Sequence, residues 1–164
     1  MRPYYFFLSI SMIISTSNCH QASSLTNDAA LIQAYIATDY QVYPTTNDTL
    51  HIRINQHNKA LDKFLQGHQS WAYITAWNPN SKPLPIAENI QRNQTFVATL
   101  KKQDLIYYLG KGIPDQGDWI PEESFLIVDL SKEAALKLGQ TYGQKASIWG
   151  QVDAKANLLF CMPK

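Results

Sequence analysis

Cysteine is nearly missing from this chain: Cys19 and Cys161 are the only two in 164 residues. That excludes a disulfide scaffold, so stability has to come from a packed core. Net charge is missing too, since 14 basic and 13 acidic side chains leave a formal +1. Such a balance gives no electrostatic footprint for nucleic acid or for an anionic membrane surface. No Gly-x-Ser-x-Gly elbow, phosphate-cradling loop or dinucleotide fingerprint is present, and Gly110-Lys111-Gly112 lacks the third glycine and the following helix. His20, His51, His57 and His68 show no close metal-ligand spacing with carboxylates or cysteines, so the sequence offers neither a metal site nor a cofactor motif. The apolar run from Tyr4 to Ile14 has 11 residues, short of the roughly 18 needed to span a membrane.

What is present starts at that run. Arg2 before it and Ser15, Thr16 and Ser17 after it have the order of a secretory signal peptide over residues 1–18. A polar linker, 19–27, and one domain, 28–164, follow; 45% hydrophobic and 16% charged residues suit a single globular unit. Two processing routes stay open. Ordinary cleavage after Ser17 would release a soluble exported protein. Alternatively Cys19, preceded by Thr16, Ser17 and Asn18, resembles a bacterial lipobox whose lipidated cysteine would be the sole membrane contact. Either route places the domain outside the cytoplasm, periplasmic or lipid-anchored.

Periodicity supplies the elements. Helical spacing runs over 28–38, strands over 40–43 and 50–54 flank a Pro44–Asp48 turn, and Lys59–Leu65 reads as a short helix ending at Gly67. WAYITAW, Trp71 to Trp77, reads as a central strand with a bulky face (Trp71, Tyr73, Thr75, Trp77) and a flat one (Ala72, Ile74, Ala76) that lets a helix approach. A long helix over 87–103 carries the stripe Ile86, Ile90, Asn93, Val97, Leu100. Strands at 105–109 and 124–130 enclose a Gly110–Asp118 loop. Ser131 caps a helix to Tyr142, and 146–152 with 157–162 forms a closing hairpin. The order implies an α+β domain with a mixed, mostly antiparallel sheet and helices packed mainly on one face.

Several separated motifs point one way: WAYITAWNPNS, Glu88-Asn89 with Arg92-Asn93, Trp119 with Pro121-Glu-Glu-Ser124, and Tyr142-Gly143-Gln144. Together they resemble the bacterial family called domain of unknown function 3293, over roughly Tyr35 to Gln151. The resemblance implies that the domain is a unit and carries no activity, substrate or cofactor with it. The export signal is an addition to that pattern.

The candidate binding residues are Trp71, Thr75, Trp77, Asn78, Glu88, Asn89, Arg92, Asn93, Ser124 and Gln144, arranged around a cleft between the aromatic strand and the long helix. Asparagines inside an apolar stripe need partners, and a satisfied structural network is the plain alternative to a ligand site. Glu88 and Arg92, four apart, read as a surface ion pair. Glu122 and Glu123, bracketed by Ile120 and Phe125, are the candidate catalytic carboxylates, since desolvation there would raise a pKa. Two functions follow: a non-catalytic module that binds a small polar ligand or a protein partner, or a hydrolase or transferase using Glu122 or Glu123 as general acid or base.

Overall fold

The computed structural model describes residues 29–161. The expected signal peptide and polar linker, the lipidation candidate Cys19, and Met162, the last residue of the expected closing strand, lie outside the described residues. The chain divides into two units, Met1–Ile32 and Gln33–Lys164, and the sheet lies in the second.

Residues 29–36 are helical (α1). The strands are β1 (Thr38–Val42), β2 (Leu50–Ile52), β3 (Ser70–Ile74), β4 (Tyr107–Pro114), β5 (Glu122–Val128), β6 (Ala146–Gln151) and β7 (Asn157–Phe160). The remaining helices are α2 (Lys59–Phe64), α3 (Ile86–Lys102) and α4 (Lys132–Thr141), with a 3-10 turn at Pro79–Ser81. The strands form one sheet in the order β2-β1-β4-β5-β3-β6-β7. Every pair is antiparallel, so the fold is α+β.

The pleat sorts side chains onto two cores. Trp71, Tyr73, Leu126, Val128 and Ile148 turn to one face, where they meet Leu61 and Leu65 from the α2 segment. Ala72, Ile74, Phe125 and Ile127 turn to the other, against Phe96 and Leu100 of α3 and Ala135 and Leu138 of α4. The two longest helices thus share the flat face of β3. Phe96 and Leu100 are fully buried there, each worth about 1.5–3 kcal/mol of transfer free energy.

Three expectations are corrected. The Gly110–Asp118 segment is not all loop, because β4 runs on through both glycines to Pro114. A Cβ at Gly110 would lie 2.3 Å from the Gln41 carbonyl oxygen and 2.7 Å from the Tyr73 hydroxyl. Glycine stands there so that β1, β4 and Tyr73 can close together. The β3 strand stops at Ile74 rather than Trp77: the Thr75 hydroxyl accepts the Trp77 N–H at 3.0 Å and donates to the Glu123 carbonyl at 2.6 Å, replacing the ladder with a local turn. Finally, α3 buries Asn89, Asn93, Phe96 and Leu100, whereas Ile86 and Ile90 of the expected stripe are exposed. The helix is rotated so that its polar residues face inward.

Candidate functional site

The segment after β3 leaves the sheet as irregular backbone between α3 and β5, and such backbone needs hydrogen-bond partners when buried. The candidate residues supply them. On α3, Asn89, Arg92 and Asn93 stand at i, i+3 and i+4, which puts them on one face. Asn93 accepts the Ala76 N–H at 3.1 Å and donates to the Glu123 carbonyl at 3.0 Å. Arg92 donates through Nε to the Ala76 carbonyl and through a terminal nitrogen to the Tyr142 carbonyl, both at 2.7 Å. Gln144 donates to the Trp77 carbonyl at 2.7 Å.

Asn78 sits at the centre in a left-handed conformation, φ 43°, which asparagine tolerates better than most residues. Its N–H donates to Asn89 Oδ1 at 2.9 Å, and its Oδ1 accepts from Asn89 Nδ2 and from the Leu84 N–H, each at 2.9 Å. Its Nδ2 donates to Glu122 Oε1 at 2.6 Å. Trp119, on the β4–β5 connection, donates its indole N–H to the same oxygen at 3.0 Å. Burial raises the Glu122 pKa, while the bonds from Asn78 and Trp119 pull it the other way.

Beyond this network the surface opens into a cleft of about 160 Å³, lined by Trp77, Asn78, Pro83, Leu84, Ile86, Asn89, Asp118, Trp119 and Ile120. Trp77 lines the cleft, and its indole N–H is buried and takes no partner among the described residues. Ile86, Trp119 and Ile120 are 56%, 40% and 57% exposed, unusual values for neighbouring large apolar groups. The cleft lies past the end of β3. Between β3 and α3 themselves, Phe96 and Leu100 fill the space.

The structure brings Thr75, Trp77, Asn78, Asn89, Arg92, Asn93, Glu122 and Gln144 together. It separates others. Trp71 is core, packed so closely on β6 that a Cβ at Gly150 would come within 2.5 Å of its ring. Ser124 is buried, donating to the Glu122 carbonyl at 3.1 Å. Glu88 is exposed, and the ion pair expected with Arg92 does not form among the described residues, because the guanidinium turns to two carbonyls instead. Glu123 is exposed on the opposite pleat from Glu122 and meets the network through its main-chain carbonyl.

Sequence spacing passed over the cleft walls Pro83, Leu84, Ile86, Asp118 and Ile120. The usable signal was a tryptophan and an isoleucine in a short polar connection. It also missed three histidine–carboxylate pairs: His51–Asp39 at 2.8 Å, His68–Asp129 at 2.7 Å, and His57–Asp62. His57, Asp62 and Asp153 place ligand atoms within 4.8 Å of one another. Both Asp62 oxygens are engaged there, one by His57 and one by the Asp153 N–H at 3.0 Å. That arrangement pins the β6–β7 turn to α2.

Residues 74–147 match the family model described as protein of unknown function (DUF3293). No curated protein and no solved structure matches the chain.

Proposed function

We propose that the chain is an exported member of the family matched at residues 74–147, and that its domain is a non-catalytic binding module. Its ligand, a small polar molecule or one side chain of a protein partner, is held in the Trp77–Trp119 cleft. One observation carries this reading: the asparagines, Arg92 and Gln144 direct most of their hydrogen bonds to backbone, and Asn78 adds bonds to the Asn89 and Glu122 side chains, fixing a preformed apolar cleft with a polar floor. Convergent polar groups at the base of a largely apolar concavity are the usual composition of a ligand site.

A thermal-shift screen with a metabolite library tests it, since a ligand that binds only the folded state raises the melting temperature by mass action. Ile120→Ala, at an exposed wall position, should weaken any such shift without unfolding the domain. Absence of a shift with every compound would leave the cleft without a ligand.

The alternative, a hydrolase or transferase, draws support from Glu122 alone: a buried carboxylate with a raised pKa is the form a general acid takes. Glu122→Gln would then abolish turnover while keeping ligand affinity. Export rests on the order of residues 1–18, and a lipid on Cys19 would keep the domain at a membrane. Cys19→Ala should move the protein to the soluble exported fraction and remove fatty-acid labelling; labelling that persists would exclude lipidation at this residue.

A further inference from the structure

We infer that the group this cleft recognises is a primary ammonium on a short alkyl chain, its charge directed to Glu122 and Asp118 and its carbons lying between Trp77 and Trp119. The inference rests on the binding-module reading above and adds the chemical class of the ligand.

Charge is the first ground. Asp118 lines the cleft, and Glu122 stands one hydrogen bond behind it, joined to the lining residues Asn78 and Trp119. No lysine or arginine lines the cleft. Among the described residues no ion pair reaches either carboxylate. Arg92, the cation that α3 brings to this end of the sheet, is taken up by the carbonyls of Ala76 and Tyr142. Asp118 is exposed, whereas burial disfavours the ionised form of Glu122, and the arrival of a cation offsets that cost.

Hydrogen-bonding capacity is the second. The bonds from Asn78 and Trp119 both land on Oε1. Once ionised, a carboxylate has about four acceptor positions over its two oxygens, so an ammonium that favours the ionised form of Glu122 adds its N–H donors without displacing the two present.

The walls and the volume set the rest. Trp77, Trp119, Leu84, Ile86 and Ile120 suit methylenes, and a tryptophan face also attracts a cation. A space of about 160 Å³ compares with the roughly 150 Å³ engineered cavity that takes benzene, a six-heavy-atom ligand. Five carbons and one nitrogen fill it. A free alkylamine and a lysine side chain share this chemistry.

The test compares n-pentylamine with 1-pentanol and pentanoate, three probes of similar length and different charge, by tryptophan fluorescence titration of the full mature chain. Pentylamine should bind at least tenfold more tightly than either. Glu122→Gln should reduce that preference to about twofold while 1-pentanol binding persists, and Asp118→Asn, on an exposed loop, should lower it several-fold with an unchanged melting curve. An N-acetylated glycine-lysine-glycine amide that binds as tightly as pentylamine identifies a lysine side chain as the source; binding of the free amine alone identifies a small molecule. Equal binding of all three probes, or tighter binding of pentanoate, overturns the ammonium assignment and leaves the cleft reading standing. Failure of every probe also overturns it, and the cleft reading then stands or falls with the metabolite screen.

Discussion

Asn93→Leu separates a polar network that holds the fold from one that merely occupies space. Asn93 is 3% exposed. Its Oδ1 is the acceptor for the N–H of Ala76, a fully buried residue; orphaning that N–H costs about 1–3 kcal/mol. Its second bond goes to the Glu123 carbonyl, which keeps the Thr75 hydroxyl at 2.6 Å, so the loss there is that of one ordinary bond, about 1 kcal/mol. Leucine is similar in volume and returns about 1 kcal/mol through its extra apolar surface. The balance is a loss of about 1–3 kcal/mol, or about 3–12 °C in melting temperature. Urea unfolding followed by tryptophan fluorescence measures it. A cycle with Thr75→Val removes the ambiguity of leucine packing, because only the double variant strips the Glu123 carbonyl of both donors. The two losses should then be non-additive by about 0.5–1 kcal/mol, the low end of the usual range for partners in one network, since Glu123 is partly solvated. A neutral or stabilised single variant with strict additivity would refute the network.

Gly110→Ala should cost at least about 1–3 kcal/mol, because the new Cβ meets the Gln41 carbonyl and the Tyr73 hydroxyl; a wild-type melting curve would mean that β1 and β4 can spread. Glu122 has a folded pKa raised by burial, so its contribution is fully present below the unfolded value and lost as pH rises through the folded one. Glu122→Gln cannot undergo that loss, and its melting temperature relative to wild type should become more positive from pH 4 to pH 7; a difference that is flat or falls with pH would contradict the shift. Cys161 is 1% exposed against Gly139, and burial pushes its thiol pKa up. It should therefore resist alkylation in the native state and react only on unfolding, and prompt labelling of the folded protein would count against this packing.

Much of the fold was legible because period and capping agree in these stretches. Ser131 caps α4 through Ala134, as its position implied; Asn58, not singled out from sequence, caps α2 by accepting the N–H groups of Ala60 and Leu61. Gly143, at φ 74°, follows α4, the left-handed stop that glycine favours. The flat Ala72–Ile74 face does receive α3. Legibility failed where tertiary contacts decide the matter. A glycine between strands and a glycine in a loop look alike in sequence, and only the approach of Gln41 and Tyr73 turns Gly110 into a strand residue. The rotation of α3 was hidden for a related reason: its inward asparagines are stable only because the segment after β3 offers them backbone groups.

The candidate site was half legible, and the division has a physical basis. The motif residues named from sequence are polar groups in apolar company, and nearly all of them face main chain: Asn89 and Asn93 the segment from Ala76 to Asn78, Gln144 the Trp77 carbonyl, Arg92 the carbonyls of Ala76 and Tyr142. The Asn80 N–H donates to the Gly143 carbonyl at 2.7 Å, and a Cβ at Gly143 would lie 3.0 Å from Pro79. Motifs far apart in the chain therefore meet because each closes part of one buried turn. Of the groups that face outward, Asp118, Trp119 and Ile120 stand in a loop without a periodic pattern, and Ile86, at the start of α3, fitted a stripe that pointed it to the core. Trp119 joins the two sets, since its indole N–H binds Glu122 while its ring lines the cleft. Replacing it with phenylalanine keeps an aromatic wall and deletes that bond. Selective loss of amine binding in Trp119→Phe, with 1-pentanol binding retained, would place the charge recognition at Glu122, whereas equal loss of both probes would place the function of Trp119 in the wall alone.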